Sequence, residues 1–186
     1  GVKYLTVYAF STENWKRPSA EVNQLMELFV EFFRKYDAEL AENNIRLRFT
    51  GRIQDLPEKV QATIAEAQNG SKERIGMQLI IAFNYGGRQE IIDMTRAIAE
   101  AVETGNIAVA DINESLIGEY LYLPDVPDPD LIIRSSGEMR LSNFLLWESA
   151  YAEFWVSDVL WPDFDRATLY QALSDFNQRE RRFGGV

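Results

Sequence analysis

Two residue types are missing altogether from the 186 residues: cysteine and histidine. Without cysteine there is neither a disulfide frame nor a thiolate nucleophile, a composition compatible with a reducing compartment. Without histidine the usual general base, the Ser-His and Cys-His nucleophile pairs and the commonest zinc ligand are excluded. Any metal is then a hard cation held by carboxylates and phosphate oxygens, with magnesium the leading candidate. Basic charge is also short, 19 Lys and Arg against 29 Asp and Glu, for a net charge of −10. General nucleic-acid binding needs a basic face, so that class is excluded as well. An anion must be held by a local arginine cluster inside an acidic shell. No apolar run approaches the roughly 20 residues that span a bilayer.

What remains is ordinary for a globular chain: 46% apolar and 26% charged residues, in a length that fits one domain over residues 1–186. Val2 to Phe10 reads as a mostly apolar strand, and a chain rarely begins at a buried strand, so material upstream is expected. A helix follows from about Ala20 to Asn43, with Val22, Leu25, Met26, Phe29, Phe33, Tyr36 and Leu40 at three-four spacing and Val30 and Phe32 widening the stripe. Ile45–Thr50 alternates as a second strand. Asp55 with Glu58 suggests a capping box for a helix reaching Asn69-Gly70. Met77–Phe83 is a third strand, followed by a helix to Thr104-Gly105. Asp111 with Glu114 suggests a box before a short helix to Leu121. Prolines 124, 127 and 129 form a rigid connector, and a last helix after Asp165 ends in RERRFGG. Strands alternating with helices predict the α/β class, a single domain with a mostly parallel central sheet and helices on both faces. In such sheets ligands bind beyond the carboxyl ends of the strands. Those ends carry Ser11–Arg17, Thr50–Arg52, Asn84–Arg88 and Arg134–Arg140.

The stretch Asp130–Trp155 has the strongest chemical character. A short strand, Leu131–Ile133, ends at Arg134, and Arg140 stands six residues on across a turn containing Gly137. Ser142-Asn143 then precedes an apolar run, Phe144–Trp155, that reads as a helix. Two guanidinium forks and the free N–H groups of a first helical turn would together grip a diphosphate. The plainer reading makes the arginines surface ion-pair formers and Ser142 a helix N-cap. Asn84-Tyr85-Gly86-Gly87 lacks the spacing of a dinucleotide loop and suits turn geometry. Arg179, Arg181 and Arg182 before Gly184-Gly185 suit the negative end of a helix and its cap. On helix 20–43 one aromatic face would pack on the sheet, while Phe29, Phe32 and Phe33 span an arc wide enough to line a channel for a long apolar chain. Glu148 and Glu153 would not share a helix face, so they are no carboxylate dyad. Residue chemistry alone thus reaches an α/β domain that binds a phosphorylated ligand with an apolar tail.

Two motifs go further. Phe10-Ser11-Thr12-Glu13-Asn14-Trp15-Lys16-Arg17-Pro18 resembles the F-S-x-E-N-W-x-R-P motif of the cis-prenyltransferases, the undecaprenyl diphosphate synthase family. Arg134-Ser135-Ser136-Gly137-Glu138-Met139-Arg140-Leu141-Ser142-Asn143-Phe144 resembles that family's R-x-x-G-E-x-R-x-S-N-F motif. Asn84–Arg88, Asp158–Phe164 and the RERRFGG ending match in order and spacing, so the resemblance covers essentially the whole chain.

The resemblance implies a magnesium-dependent transferase that adds isopentenyl diphosphate repeatedly to an allylic diphosphate, usually farnesyl diphosphate. Its product is a polyprenyl diphosphate, the precursor of a cell-wall lipid carrier. It further implies that Arg134, Arg140, Leu141 and Ser142 bind isopentenyl diphosphate and that Glu153 serves the metal. Ser11, Thr12, Glu13, Trp15 and Arg17 would lie in a loop that covers the site and aligns the substrates. Asn14 is the catalytic candidate; because a carboxamide is barely basic, its role would be positioning, or relay toward a diphosphate oxygen. The channel arc would set product length. A homodimer is implied, cytoplasmic, with at most peripheral membrane contact. The family's aspartate-glycine-asparagine-x-arginine-tryptophan loop, which holds magnesium and the allylic diphosphate, is not among these residues, so the 186-residue chain alone is expected to be inactive. Met139 stands where some relatives have a histidine, and a thioether is a poor magnesium ligand. The rival readings are a non-catalytic accessory subunit and a phosphate-binding transferase of similar fold.

Overall fold

The computed structural model describes residues 1–180. The chain falls into two compact units, Gly1–Val126 and Pro127–Val186. The first carries β1 (Tyr4–Ser11), α1 (Ser19–Glu42), β2 (Arg46–Thr50), α2 (Glu58–Ser71), β3 (Gln78–Tyr85), α3 (Gly87–Glu103) and α4 (Glu114–Glu119). The second carries β4 (Leu131–Arg134), β5 (Glu153–Val156) and α5 (Arg166–Asn177).

In the first unit the sheet order is β1-β3-β2, with every pair parallel. Tyr4 and Arg46 both register with Gln78, so the three strands start together. β1 runs to a position opposite Tyr85 and β2 stops opposite Ala82, and because all three run parallel the loops after Ser11, Thr50 and Tyr85 leave from one edge, where ligands of parallel sheets bind. The central strand is buried on both faces, as its apolar run requires: Ile81 and Phe83 on one side, Ile80 and Ala82 on the other. On the first side α1 supplies Val22, Met26, Phe29, Val30 and Phe33, and α2 supplies Val60 and Ile64, against Leu47, Phe49, Ile81 and Phe83. Phe29 is the hub, its ring centroid 4.1 Å from Phe83, 4.8 Å from Phe33 and 6.0 Å from Phe49.

Two of the expected caps are displaced. Pro57, not Asp55, is the N-cap of α2, and Asp55 lies in a preceding 3-10 turn. Asn113, not Asp111, caps α4 by accepting the Leu116 N–H at 3.1 Å, while Asp111 accepts from Ala108 N at 3.2 Å. Gly51 is demanded by geometry: its φ is +127°, and a Cβ there would stand 2.2 Å from the Phe83 carbonyl oxygen.

In the second unit β4 and β5 are parallel, with Leu131 opposite Glu153 and Arg134 opposite Val156. This overturns the helix expected over Phe144–Trp155. That stretch holds a single 3-10 turn, Glu148–Tyr151, and then enters β5. Ser142, Asn143 and Leu145 have φ of +51°, +65° and +44°, which no right-handed helix tolerates. The apolar spacing was ambiguous, and pairing of Phe154-Trp155-Val156 with β4 settles it in favour of strand. Asp165 caps α5 through the Thr168 N–H at 2.8 Å. The expected cap at Gly184-Gly185, with Arg181 and Arg182, lies outside the described residues.

Candidate functional site

In the first unit the loop after β1 is a 3-10 turn, Thr12–Lys16, closed by reciprocal capping. Asn14 Oδ1 accepts the Ser11 N–H at 2.8 Å. The Asn14 carboxamide oxygen is thus engaged in holding the turn. Thr12 Oγ1 lies 3.3 Å from both Glu13 Oε2 and Gln89 Oε1. Arg17 pairs with Glu21 at 2.9 Å, one turn along α1, and both side chains are about half exposed. Trp15 sets its ring edge-on against Phe10, centroids 5.3 Å apart, and donates its indole N–H to Asn84 Oδ1 at 2.7 Å.

Behind these loops runs a polar network that the motifs did not reveal. Arg52 binds Asp93 in bidentate fashion, at 2.8 and 2.7 Å, and Tyr122 donates to the same carboxylate at 2.6 Å. Tyr85 donates to Glu90, whose other oxygen accepts the Tyr122 N–H at 3.0 Å. The hydrogen bond from Arg52 is the chief cause that holds the Asp93 carboxyl below the usual aspartate range, and burial pushes the Tyr122 hydroxyl up. The folded-state pKa of Asp93 is lowered, so its stabilisation is present above the ordinary aspartate pKa near 4 and is lost as pH falls through the lower folded value. Asp93→Asn is therefore expected to cost about 1.5–3 kcal/mol at pH 7, the worth of hydrogen bonds to a charged group, and less at pH 3, below the ordinary aspartate pKa. Urea denaturation at the two pH values checks this; an equal loss at both would contradict it.

In the second unit the loop after β4 is pinned by backbone bonds, Ser136 N to Val159 O at 2.9 Å and Gly137 N to Ser157 O at 2.8 Å. Ser136 and Gly137 both take left-handed φ, +67° and +66°, which turns the chain sharply just ahead of Glu138. Arg134 and Arg140 converge on one carboxylate: Arg134 donates to Glu138, and Arg140 reaches Glu138 Oε1 at 2.6 Å. Ser142 Oγ lies 3.4 Å from Arg134. The Arg134 Nε is buried with no hydrogen-bond partner. The hydrogen bond from Arg134 is the first cause that keeps the Glu138 carboxyl below its usual range. Sequence reading passed over Glu138; the acidic residue between the motif's two arginines was the available signal. Leu141 is partly buried, and its carbonyl accepts the Phe144 N–H at 3.1 Å. Among the described residues no helix begins in this loop, so what the loop offers is guanidinium groups and a hydroxyl.

Glu153 opens β5 and accepts from Arg179 at 2.6 Å, with both side chains about one-third exposed. Arg179 also donates to Phe154 O at 2.9 Å, so it serves β5 rather than the end of α5. No group of three His, Cys, Asp or Glu side chains gathers among the described residues. Glu153 fits magnesium in donor type as a single accessible carboxylate; the other ligands would be phosphate oxygens and water, the ion's common arrangement.

Of the expected site residues, the structure brings Ser11, Thr12, Asn14 and Trp15 together with Asn84 and Arg52. It separately brings together Arg134, Glu138, Arg140 and Ser142. Fold and site together define a parallel α/β protein whose strand-end arginines suit a phosphate-bearing ligand. A family model described as putative undecaprenyl diphosphate synthase matches residues 1–184. The isoprenyl transferase of Clostridium perfringens (strain 13 / Type A) is 51% identical over 186 residues, all of this chain and 74% of that protein. The ditrans,polycis-undecaprenyl-diphosphate synthase ((2E,6E)-farnesyl-diphosphate specific) of Micrococcus luteus is 48% identical over all of this chain and 75% of its own length. Among solved structures, lavandulyl diphosphate synthase from Lavandula x intermedia, in complex with dimethylallyl diphosphate, superposes with a TM-score of 0.95 at 38% identity. That match covers 99% of this chain and 80% of the plant enzyme's. The chain belongs to the undecaprenyl diphosphate synthase family and is a cis-prenyltransferase.

Proposed function

We propose that this transferase condenses isopentenyl diphosphate units onto an allylic diphosphate, farnesyl diphosphate foremost, to build a long-chain polyprenyl diphosphate used as a cell-wall lipid-carrier precursor. The observation that carries this reading is the convergence of Arg134 and Arg140 on the single carboxylate of Glu138, beside Ser142. Forks that meet on one carboxylate can meet on one diphosphate, and an incoming diphosphate, with its greater charge, takes both from Glu138. In the reaction the allylic carbon–oxygen bond breaks, a carbon–carbon bond forms to the terminal carbon of the isopentenyl unit, and a proton leaves its C2. Arg134, Arg140 and Ser142 hold the isopentenyl diphosphate, with Leu141 shaping the loop. Ser11, Thr12, Glu13, Trp15 and Arg17 orient substrate. Asn14 keeps that turn in shape while the proton passes to a diphosphate oxygen.

Glu153 would hold magnesium, which when bound neutralises charge on the departing diphosphate. The continuous family match over residues 1–184 supports one functional domain. Homodimeric assembly and a cytoplasmic site of action with peripheral membrane contact complete the reading; no helix among the described residues is long and apolar enough to cross a membrane. The aspartate-bearing loop absent from these 186 residues makes no turnover by the chain alone the expected outcome.

The test is label incorporation from isopentenyl diphosphate by the intact enzyme, with farnesyl diphosphate, dimethylallyl diphosphate or a nucleotide sugar as acceptor. A lipid-soluble product that lengthens from farnesyl diphosphate, with none from the nucleotide sugar, is expected. Incorporation only with the nucleotide sugar would make this a different transferase. Turnover appearing only when a second subunit is added would make it an accessory chain.

A further inference from the structure

Asn84 stands at the centre of the three strand ends without belonging to the substrate loop. It is 3% exposed, sits next to the last residue of β3, and takes a left-handed φ of +50°. Its carboxamide is used at both ends. Oδ1 accepts the Trp15 indole N–H at 2.7 Å, and Nδ2 donates to the Arg52 carbonyl at 2.8 Å. Its backbone carbonyl accepts the Arg52 N–H at 3.1 Å, so the loop after β2 is held twice. Arg52 in turn is clamped by Asp93 on α3. Trp15 remains 40% exposed although its ring edge is bonded to a buried amide.

We propose that Asn84 is a positioning residue for prenyl transfer: it latches the substrate loop by its Trp15 indole to the frame of β2, β3 and α3. The proposal rests on the assignment of residues 11–17 to substrate orientation. The amide is the right group for this place. An indole N–H needs an acceptor and the Arg52 carbonyl needs a donor, and a carboxamide presents one of each in a fixed plane. Leucine offers neither, and aspartate sets an acceptor against a carbonyl oxygen. The left-handed backbone, which asparagine tolerates better than most residues, aims the side chain back over the sheet edge. Without the latch, the loop keeps the ring packing on Phe10, the Asn14 turn and the 3.3 Å contact of Thr12 with Gln89, but loses its tie to the buried Asn84 amide.

Trypsin reads the latch without any substrate, because Lys16 in the loop is exposed while the Arg17-Pro18 bond resists cleavage. Lys72, in the exposed turn after α2, serves as the reference site. Asn84→Ala and Trp15→Phe are each expected to speed cleavage after Lys16 by about tenfold, the worth of one buried hydrogen bond, with less than a twofold change after Lys72. The double variant is expected to be no faster than the faster single. In the intact enzyme Asn84→Ala should lower kcat by about tenfold and leave the Michaelis constant for isopentenyl diphosphate within threefold. Equal acceleration at both sites, no acceleration, or additive effects in the double variant would overturn the latch. Trp15→Phe removes the same bond from the other side, so the test stands even if Asn84→Ala folds poorly. Faster cleavage after Lys16 with kcat unchanged would leave a structural bond and overturn the positioning role. If the wild-type enzyme fails to transfer prenyl units while the proteolysis results hold, the functional reading fails and the latch does not.

Discussion

In the intact enzyme, Arg134→Ala is expected to raise the Michaelis constant for isopentenyl diphosphate by about 100-fold, and Arg140→Ala by about tenfold. The Michaelis constant for the allylic diphosphate should move less than threefold in either variant. A hydrogen bond to a charged group contributes roughly 1.5–3 kcal/mol, or on the order of 10–150-fold in affinity. Burial decides where in that range each arginine falls. The Arg134 side chain is 30% exposed and that of Arg140 is 65% exposed. Water and salt screen the more exposed charge, so Arg140 contributes less. Raising ionic strength should therefore narrow the Arg140 effect more than the Arg134 effect. Arg134→Lys should recover little, because an ammonium cannot offer two parallel N–H groups. Steady-state kinetics with each substrate varied in turn is the measurement. Equal changes for both substrates would remove the isopentenyl assignment.

The second large effect concerns stability. Phe29→Ala is expected to destabilise the protein by about 3–5 kcal/mol, which lowers Tm by roughly 6–20 °C. Phe32→Ala should cost less than about 1 kcal/mol. Both residues belong to the same apolar arc of α1, and on sequence grounds either could line a channel. The fold separates them: Phe29 is 8% exposed and packed against Phe33, Phe49 and Phe83, whereas Phe32 is 44% exposed and lies tilted against Tyr36. Removing a core ring forfeits both its transfer free energy and its contacts. Thermal unfolding of the two variants separates the roles. A Phe29→Ala protein that melts within a few degrees of wild type, with altered product length, would return that ring to the channel. If any part of the arc sets product length, the fold leaves Phe32 to do it, because Phe29 and Phe33 are buried in the core.

Hydrophobic period and local motif were enough to recognise the long elements. The three-four spacing of Val22, Met26, Phe29 and Phe33 made α1 legible to within about a residue at each end, and the unbroken apolar run of β3 marked a strand buried on both faces. These signals are strong because burial of a whole face constrains many residues at once. The arginine motif was legible as a family signature for a related reason: its residue types stand in a fixed order, and the family match runs through it.

Short-range signals that compete with tertiary pairing were not legible. Residues 144–155 carry a helix-compatible pattern, yet the left-handed backbone at Ser142, Asn143 and Leu145 and the pairing of β5 with β4 make the segment turn and strand. Asp55 and Asp111 looked like caps because each has a glutamate three residues on, yet the caps stand two residues later, at Pro57 and Asn113. By itself, then, the sequence determined the α/β class, the parallel strand ends and the arginine pair proposed for the anion. Only the tertiary structure decided that Glu138 bridges those arginines, that Asn14 is engaged in its own turn, and that Asn84 holds Trp15. Each of these is a contact of one side chain with another group at hydrogen-bond range, and such a contact depends on where the backbone has already been placed.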